Sequence, residues 1–187
     1  MNYTRFQDIP QFTRDASYRV NVPWDYIESH LERMAERNIP GSGLDLNPDF
    51  QRGHVWTEDK QRAYVEYILR GGRSSREIQF NCSTWMREFN TPVQLVDGKQ
   101  RLEAVRKFLR NELYIFGDCV YSGFTDKLRS SGCDFVFAVN TLKTRAEVLQ
   151  WYLDLNTGGV VHTSEEIHKV QVLLEQERVL EEETGKI

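Results

Sequence analysis

The stretch Pro92-Val93-Gln94-Leu95-Val96-Asp97-Gly98-Lys99-Gln100-Arg101-Leu102 decides how this chain is read. Residues 92–96 have the apolar composition of a strand. Asp97-Gly98 is a turn pair. Beyond it Leu102, Val105, Phe108 and Leu109 recur at helical spacing and predict a helix over 99–110. A strand entering a helix through Asp-Gly sets backbone N–H groups at a helix N-terminus, where anions, and phosphates above all, are favoured. Gly98 lets the backbone approach an oxyanion closely. Lys99 and Arg101 can neutralise phosphate, Arg101 bidentately. Gln100 can orient a water or a ribose hydroxyl, and Asp97 can hold a divalent cation or act as a general base. The same residues also make an ordinary capping Asp, a turn glycine and solvated helix cations, so spacing alone leaves both readings open.

Upstream, Trp24, Ile27, Leu31 and Met34 recur at helical spacing until Pro40-Gly41. Residues 39–56 read as loop with short extended pieces. Thr57 is an N-cap for a helix that carries Glu58 and Asp59 in its first turn and stops at Gly71-Gly72. Ile78-Gln79-Phe80 reads as a strand, and 81–91 as a hairpin-like excursion. Downstream, Leu113–Phe116 and Phe135–Val139 read as strands and 144–154 as a helix with Val148, Leu149 and Tyr152 on one side. Thr163-Ser164-Glu165-Glu166 is a capping box opening a last helix with Ile167, Val170 and Leu174 inward. Interspersed strands and helices predict a mixed α+β fold.

Two more polar clusters accompany the turn. In Asn47-Pro48-Asp49-Phe50-Gln51-Arg52-Gly53-His54-Val55-Trp56, Gln51, Arg52 and His54 crowd between two aromatics. They line a ligand pocket, or else decorate a loop pinned by Phe50 and Trp56. In Leu155-Asn156-Thr157-Gly158-Gly159, the paired glycines make a helix C-cap or a second loop against a nucleotide. No P-loop, dinucleotide fingerprint, serine elbow or zinc spacing is present in the sequence.

The 187 residues are 40% hydrophobic and carry a formal charge of −4, enough apolar content for one core. Residues 164–187 hold seven acids and three bases, so they account for that −4 and the rest sums to zero. A neutral body argues against indiscriminate DNA wrapping but leaves room for local basic patches, such as Lys99, Arg101, Arg106, Lys107 and Arg110. Three scattered cysteines without a signal-peptide pattern predict a reducing, cytoplasmic setting. No apolar run approaches the roughly 20 residues of a membrane helix.

Taken in order, PDFQRGHVW (48–56), VDGKQRLEAVRKFL (96–109) and NTGGVVHTSEEI (156–167) resemble the motifs of the DGQQR-motif domain of the ParB/sulfiredoxin-like superfamily. That domain is found in the N-terminal part of modification-dependent (type IV) restriction proteins and in phosphorothioate-sensing defence proteins. The resemblance spans roughly residues 18–175. It implies a compact α+β domain, a small mixed sheet flanked by helices with a C-terminal helix, over residues 1–175, with 176–187 the acidic end of the last helix or a tail. It further implies a nucleoside triphosphate with Mg²⁺ as cofactors. Asp97, Gln100 and Arg101 would be the catalytic residues and Asp97 the metal ligand. Gly98, Lys99, Arg101, Gln51, Arg52, Asn156, Gly158 and Gly159 would hold the nucleotide. Lys99 departs from the family's Gln, Gly72-Arg73-Ser74-Ser75-Arg76 replaces a G-x-P-I-P segment, and His162 stands where an apolar residue is usual. No H-N-H motif occurs in the sequence, so that cut is not expected of it. No cysteine adjoins the turn, which disfavours sulfiredoxin chemistry.

Three functions follow as expectations. One is NTP hydrolysis or nuclease activity in DNA metabolism or restriction and anti-restriction defence. Another is a non-catalytic module that senses nucleotide or DNA and recruits a partner protein through the acidic C-terminal helix. The third is a kinase-like phosphotransferase.

Overall fold

The computed structural model describes residues 4–5, 9–16, 18–36, 43–51, 53, 55–85, 90–128, 132–157 and 164–184. The sequence readings at Pro40-Gly41, Arg52, His54, Gly158-Gly159, His162 and Thr163 lie outside these residues. The chain divides into two compact units, Ala16–Leu142 and Met1–Asp15 with Lys143–Ile187.

The larger unit holds the whole sheet. Its elements are β1 (Tyr18–Pro23), α1 (Ile27–Ala35), β2 (Gly43–Asp45), α2 (Glu58–Leu69), β3 (Glu77–Asn81), β4 (Pro92–Asp97), α3 (Lys99–Leu109) and β5 (Asp134–Asn140). A 3-10 turn, Trp24–Tyr26, leads into α1. The sheet is mixed and five-stranded, in the order β1-β5-β3-β4-β2. β1 pairs antiparallel with β5, β5 parallel with β3, β3 antiparallel with β4, and β4 parallel with β2. The fold is therefore α+β, as the interspersed pattern predicts.

Strand alternation explains the two faces. Ile78 and Phe80 of β3, Val93 and Leu95 of β4, and Phe135 and Phe137 of β5 are all buried in one core with Leu102, Val105 and Phe108 of α3. Val65 and Ile68 of α2 and Ile27, Leu31 and Met34 of α1 join it. Among the intervening positions, Gln79, Asn81 and Asn140 are polar yet buried. Asn81 meets its obligation by donating to Leu142 O (3.2 Å) and accepting from Leu142 N (2.9 Å). Thr57 caps α2, its hydroxyl accepting from Lys60 N at 3.4 Å.

Leu113–Phe116 is a correction. Leu113 and Ile115 are buried, which gives the alternation of a strand. Only one antiparallel bridge forms, however, between Ile115 and Cys119. Phe116 (φ 48°) and Gly117 (φ 91°) enter left-handed backbone and fold the chain back at once.

In the second unit α4 (Arg145–Thr157) packs against α5 (Ser164–Thr184). Val148, Leu149, Tyr152, Val170 and Leu174 are buried as the periodicity requires, while Ile167 is half-buried. Arg145 joins Glu177 at 3.0 Å and Arg178 donates to Gln150 at 3.0 Å. Thr13 N donates to Asp154 Oδ2 at 2.8 Å and ties the N-terminal segment to α4. No helix among the described residues is long and apolar enough to cross a membrane.

Candidate functional site

The turn between β4 and α3 is fixed by crowding. Gly98 has φ 99° and ψ 4°. A Cβ there would stand 2.6 Å from Ile78 Cδ1 and 3.3 Å from Glu77 O, so any side chain would crowd Ile78 and strain the left-handed backbone. Leu102 N donates to Gly98 O at 2.9 Å and starts the helix. Gly98 has no side chain to cap the first turn, which also contains no acid. The Gln100 and Arg101 N–H groups meet no side-chain acceptor among the described residues. The positive end of the α3 dipole is left open to an anion.

The side chains around this terminus are tied to one another. Asp97 Oδ2 takes the Arg101 Nη2 at 2.6 Å, the i,i+4 pair on one helical turn. The same nitrogen donates to Glu77 O at 3.0 Å, which fastens α3 to β3. Arg101 Nε is buried without a partner. Glu77 in turn pairs with Arg19 and accepts from Gln79 Nε2 at 2.8 Å. Beside Arg101, burial pushes the Tyr64 phenol well above its ordinary range, partly offset by the Arg101 and Arg76 guanidinia. The Tyr64 hydroxyl donates to Ser75 O at 2.8 Å.

Gln100 is buried, and both ends of its amide are used. Its Oε1 accepts from Val55 N (3.0 Å) and Trp56 N (3.1 Å), and its Nε2 donates to Gly53 O (3.0 Å). Gln51 reaches back to β4, donating to Leu95 O at 3.0 Å and also to Val96 O. Two glutamines thus lock Gln51, Gly53, Val55 and Trp56 against the strand-turn-helix. Trp56 completes the lock by packing edge-on to Tyr64, ring centroids 5.5 Å apart.

One face of α3 then walls a cavity of about 490 Å³. Lys99, Glu103, Arg106 and Lys107 follow each other along that wall, and Leu95 and Leu102 contribute apolar surface. Asn47 and Gly53 line it from the preceding segment. Arg106 is held in a bidentate pair with Glu28, at 2.6 and 3.0 Å. Burial lowers the Lys99 pKa, and Asp45 and Glu103 oppose that shift.

The structure thus gathers Gln51, Asp97, Gly98, Lys99, Gln100 and Arg101 in the sheet unit. Asn156 belongs to the α4–α5 unit, where its Nδ2 donates to Tyr152 O at 2.6 Å within its own helix. Arg52, Gly158 and Gly159 lie outside the described residues. The sequence places Ile78 in a strand but gives neither Glu77 nor Ile78 a role at the site, where they hold Arg101 and crowd Gly98. The Asp97–Arg101 pair itself was legible from its i,i+4 spacing.

The residues fit the two expected cofactors unequally. The open α3 terminus, Lys99 and a cavity within the usual 300–1,000 Å³ range suit a nucleotide's phosphates. A resident Mg²⁺ is not provided for: Asp97 already carries a guanidinium, and the described residues contain no group of three or more His, Cys, Asp or Glu placed to share an ion. No protein-family model, curated protein or solved structure matches the chain.

Proposed function

We propose that the chain is a nucleotide-binding, phosphate-handling protein with a ParB/sulfiredoxin-like domain of the DGQQR type, acting in DNA metabolism or in restriction and anti-restriction defence. The observation that carries the nucleotide reading is the Gly98 turn. It leaves the Gln100 and Arg101 amides of α3 without a side-chain acceptor among the described residues, beside a cavity of about 490 Å³ that Lys99 lines. Lys99 is the side chain that joins turn and cavity, and its ammonium would meet the phosphates. Gln51 and Gln100 would act as positioning residues, because their amides hold the cavity wall rather than face a ligand. The biological setting rests on the three motifs alone.

Holding the ligand is favoured over turning it over. The Asp97 carboxylate is paired with Arg101, so neither is poised to accept a proton or to grip a phosphoryl group in this geometry. A sensing module would also need a surface for its partner. The α5 helix offers exposed Val172, Val179 and Leu180 among acidic residues, in keeping with a protein partner at that helix. Hydrolase, nuclease and phosphotransferase readings require the Asp97–Arg101 pair to open, with any Mg²⁺ arriving on the nucleotide phosphates.

A thermal-shift panel of nucleoside mono-, di- and triphosphates tests this, with and without Mg²⁺, on wild type and Lys99→Ala. A ligand bound only by the native state raises the melting temperature by linkage. At least one nucleotide should do so in wild type and do so less in Lys99→Ala. If no nucleotide raises it, the reading fails. Phosphate release that disappears in Asp97→Asn would instead make the protein a hydrolase.

A further inference from the structure

At the opposite end of α2 and α3 lies a second cavity, of about 220 Å³, that the nucleotide reading does not use. Four aromatic rings line it: Phe108, Phe116, Tyr121 and Phe124. Leu69 adds aliphatic surface, and Asp126 is the one charged residue of the lining. Phe108 meets Tyr121 and Phe124 edge-on, with ring centroids 5.6 and 6.4 Å apart. The cavity opens to solvent, for Phe116 and Phe124 are 41% and 46% exposed.

Two features point to the sign of the charge it would take. Asp126 has no ion-pair partner among the described residues. Leu69 and Phe108 belong to the last turns of α2 and α3, so the negative ends of two helix dipoles adjoin the cavity. The Arg70 guanidinium, 5.1 Å from the Phe116 centroid, already places a cation at that ring, so the ligand's charge would sit away from it, toward Asp126.

Phe116, at the rim, is held in an unfavourable conformation. It has φ 48°, a left-handed backbone that a bulky residue rarely enters. Its turn is anchored to α2 on both sides: Phe116 N donates to Glu66 Oε1 at 2.6 Å, and Arg62 Nε donates to Tyr114 O at 2.9 Å. The anchoring keeps an exposed aromatic ring at the rim instead of letting it turn inward.

We propose that this cavity binds a small organic cation of the quaternary-ammonium class, its alkyl shell against the four rings and its charge toward Asp126. Ring quadrupoles attract such a cation without stripping strongly held water from it. The volume is below that of usual drug-sized sites, so it would admit a single head group.

The test is ligand-observed and ¹⁵N-detected NMR titration of the full chain with choline and with its uncharged isostere 3,3-dimethylbutan-1-ol. Choline should bind saturably and shift amides within 108–128. The neutral isostere should bind about tenfold more weakly, the worth of a cation-ring contact. Phe124→Ala and Asp126→Asn, both at exposed positions, should weaken choline binding while nucleotide-induced thermal shifts stay as in wild type. No saturable choline shift, or equal binding of the isostere, overturns the proposal. So does unchanged choline affinity in both variants. Failure of the nucleotide reading would leave these outcomes untouched, because the two cavities share no lining residue.

Discussion

At its N-terminal end α3 meets β4 through Gly98, and the Gln51, Asp97, Gln100 and Arg101 side chains are bonded to other groups of the protein. At its C-terminal end it meets a cluster of rings, and the backbone is what is bonded. Asn111 (φ 61°) ends α3 in left-handed backbone, with Glu112 N donating to Lys107 O at 2.8 Å. Gly71 (φ 89°) ends α2 the same way, with Gly72 N donating to Tyr67 O at 2.9 Å. One end therefore offers backbone donors framed by satisfied side chains. The other offers side chains framed by a satisfied backbone. The first suits a phosphate, whose oxygens accept hydrogen bonds. The second suits a body with little hydrogen-bonding demand.

Phe108 is the sharpest way to break the comparison, because it belongs to the core and to the aromatic end alike. Phe108→Ala should cost about 3–5 kcal/mol in urea unfolding, the usual loss for a buried ring. A loss under 1 kcal/mol would mean that the ring is not part of the core.

Two glycines come next. Gly98→Ala should destabilise by roughly 2–4 kcal/mol, the left-handed backbone adding to the contact with Ile78. Gly117→Ala has a similar φ but nothing within 4 Å of the added Cβ, so it should cost only about 1–2 kcal/mol. Equal effects in paired denaturation curves would show that crowding at Gly98 is unimportant.

Gln100→Ala should cost about 1–3 kcal/mol, since it strands the Val55 and Trp56 amides and Gly53 O. Hydrogen exchange at Val55 and Trp56 should accelerate ahead of global unfolding. Unchanged exchange there would remove Gln100 from the role of loop anchor.

His30 supplies the smallest effect, remote from both ends. It packs edge-on to Phe137, with ring centroids 5.3 Å apart. Burial, and secondarily Arg33, lowers its pKa below the ordinary 6.5. The unfolded chain then takes up the proton first, so stability is full above pH 6.5 and falls as pH drops toward the lower folded value. His30→Gln should flatten that part of the stability profile. A profile identical to wild type would assign the acid sensitivity elsewhere.

These predictions divide along what the sequence made legible. The strand, the Asp-Gly turn, α3 and its inward residues follow from local pattern, as does the Thr57 cap. The bonds that give the site its character do not. Arg101 reaches Glu77 O across 24 residues, and Gln100 reaches Gly53 across 47. No periodicity encodes such partners. Sheet order is equally nonlocal, since β2 joins the edge parallel to β4. Leu113–Phe116 shows the opposite hazard. Its alternation is genuine, but a left-handed Phe116 breaks the strand, and only Gly117 hints at the turn.

The central claim is that the Gly98 turn holds phosphate on the backbone of α3. It is tested most directly by titrating ¹⁵N-labelled protein with ATP and following the amides of Lys99, Gln100 and Arg101. These three should show the largest saturable shifts, with Lys99→Ala weakening the affinity. Saturable binding that leaves all three unmoved, or no binding at millimolar ATP, would contradict the account.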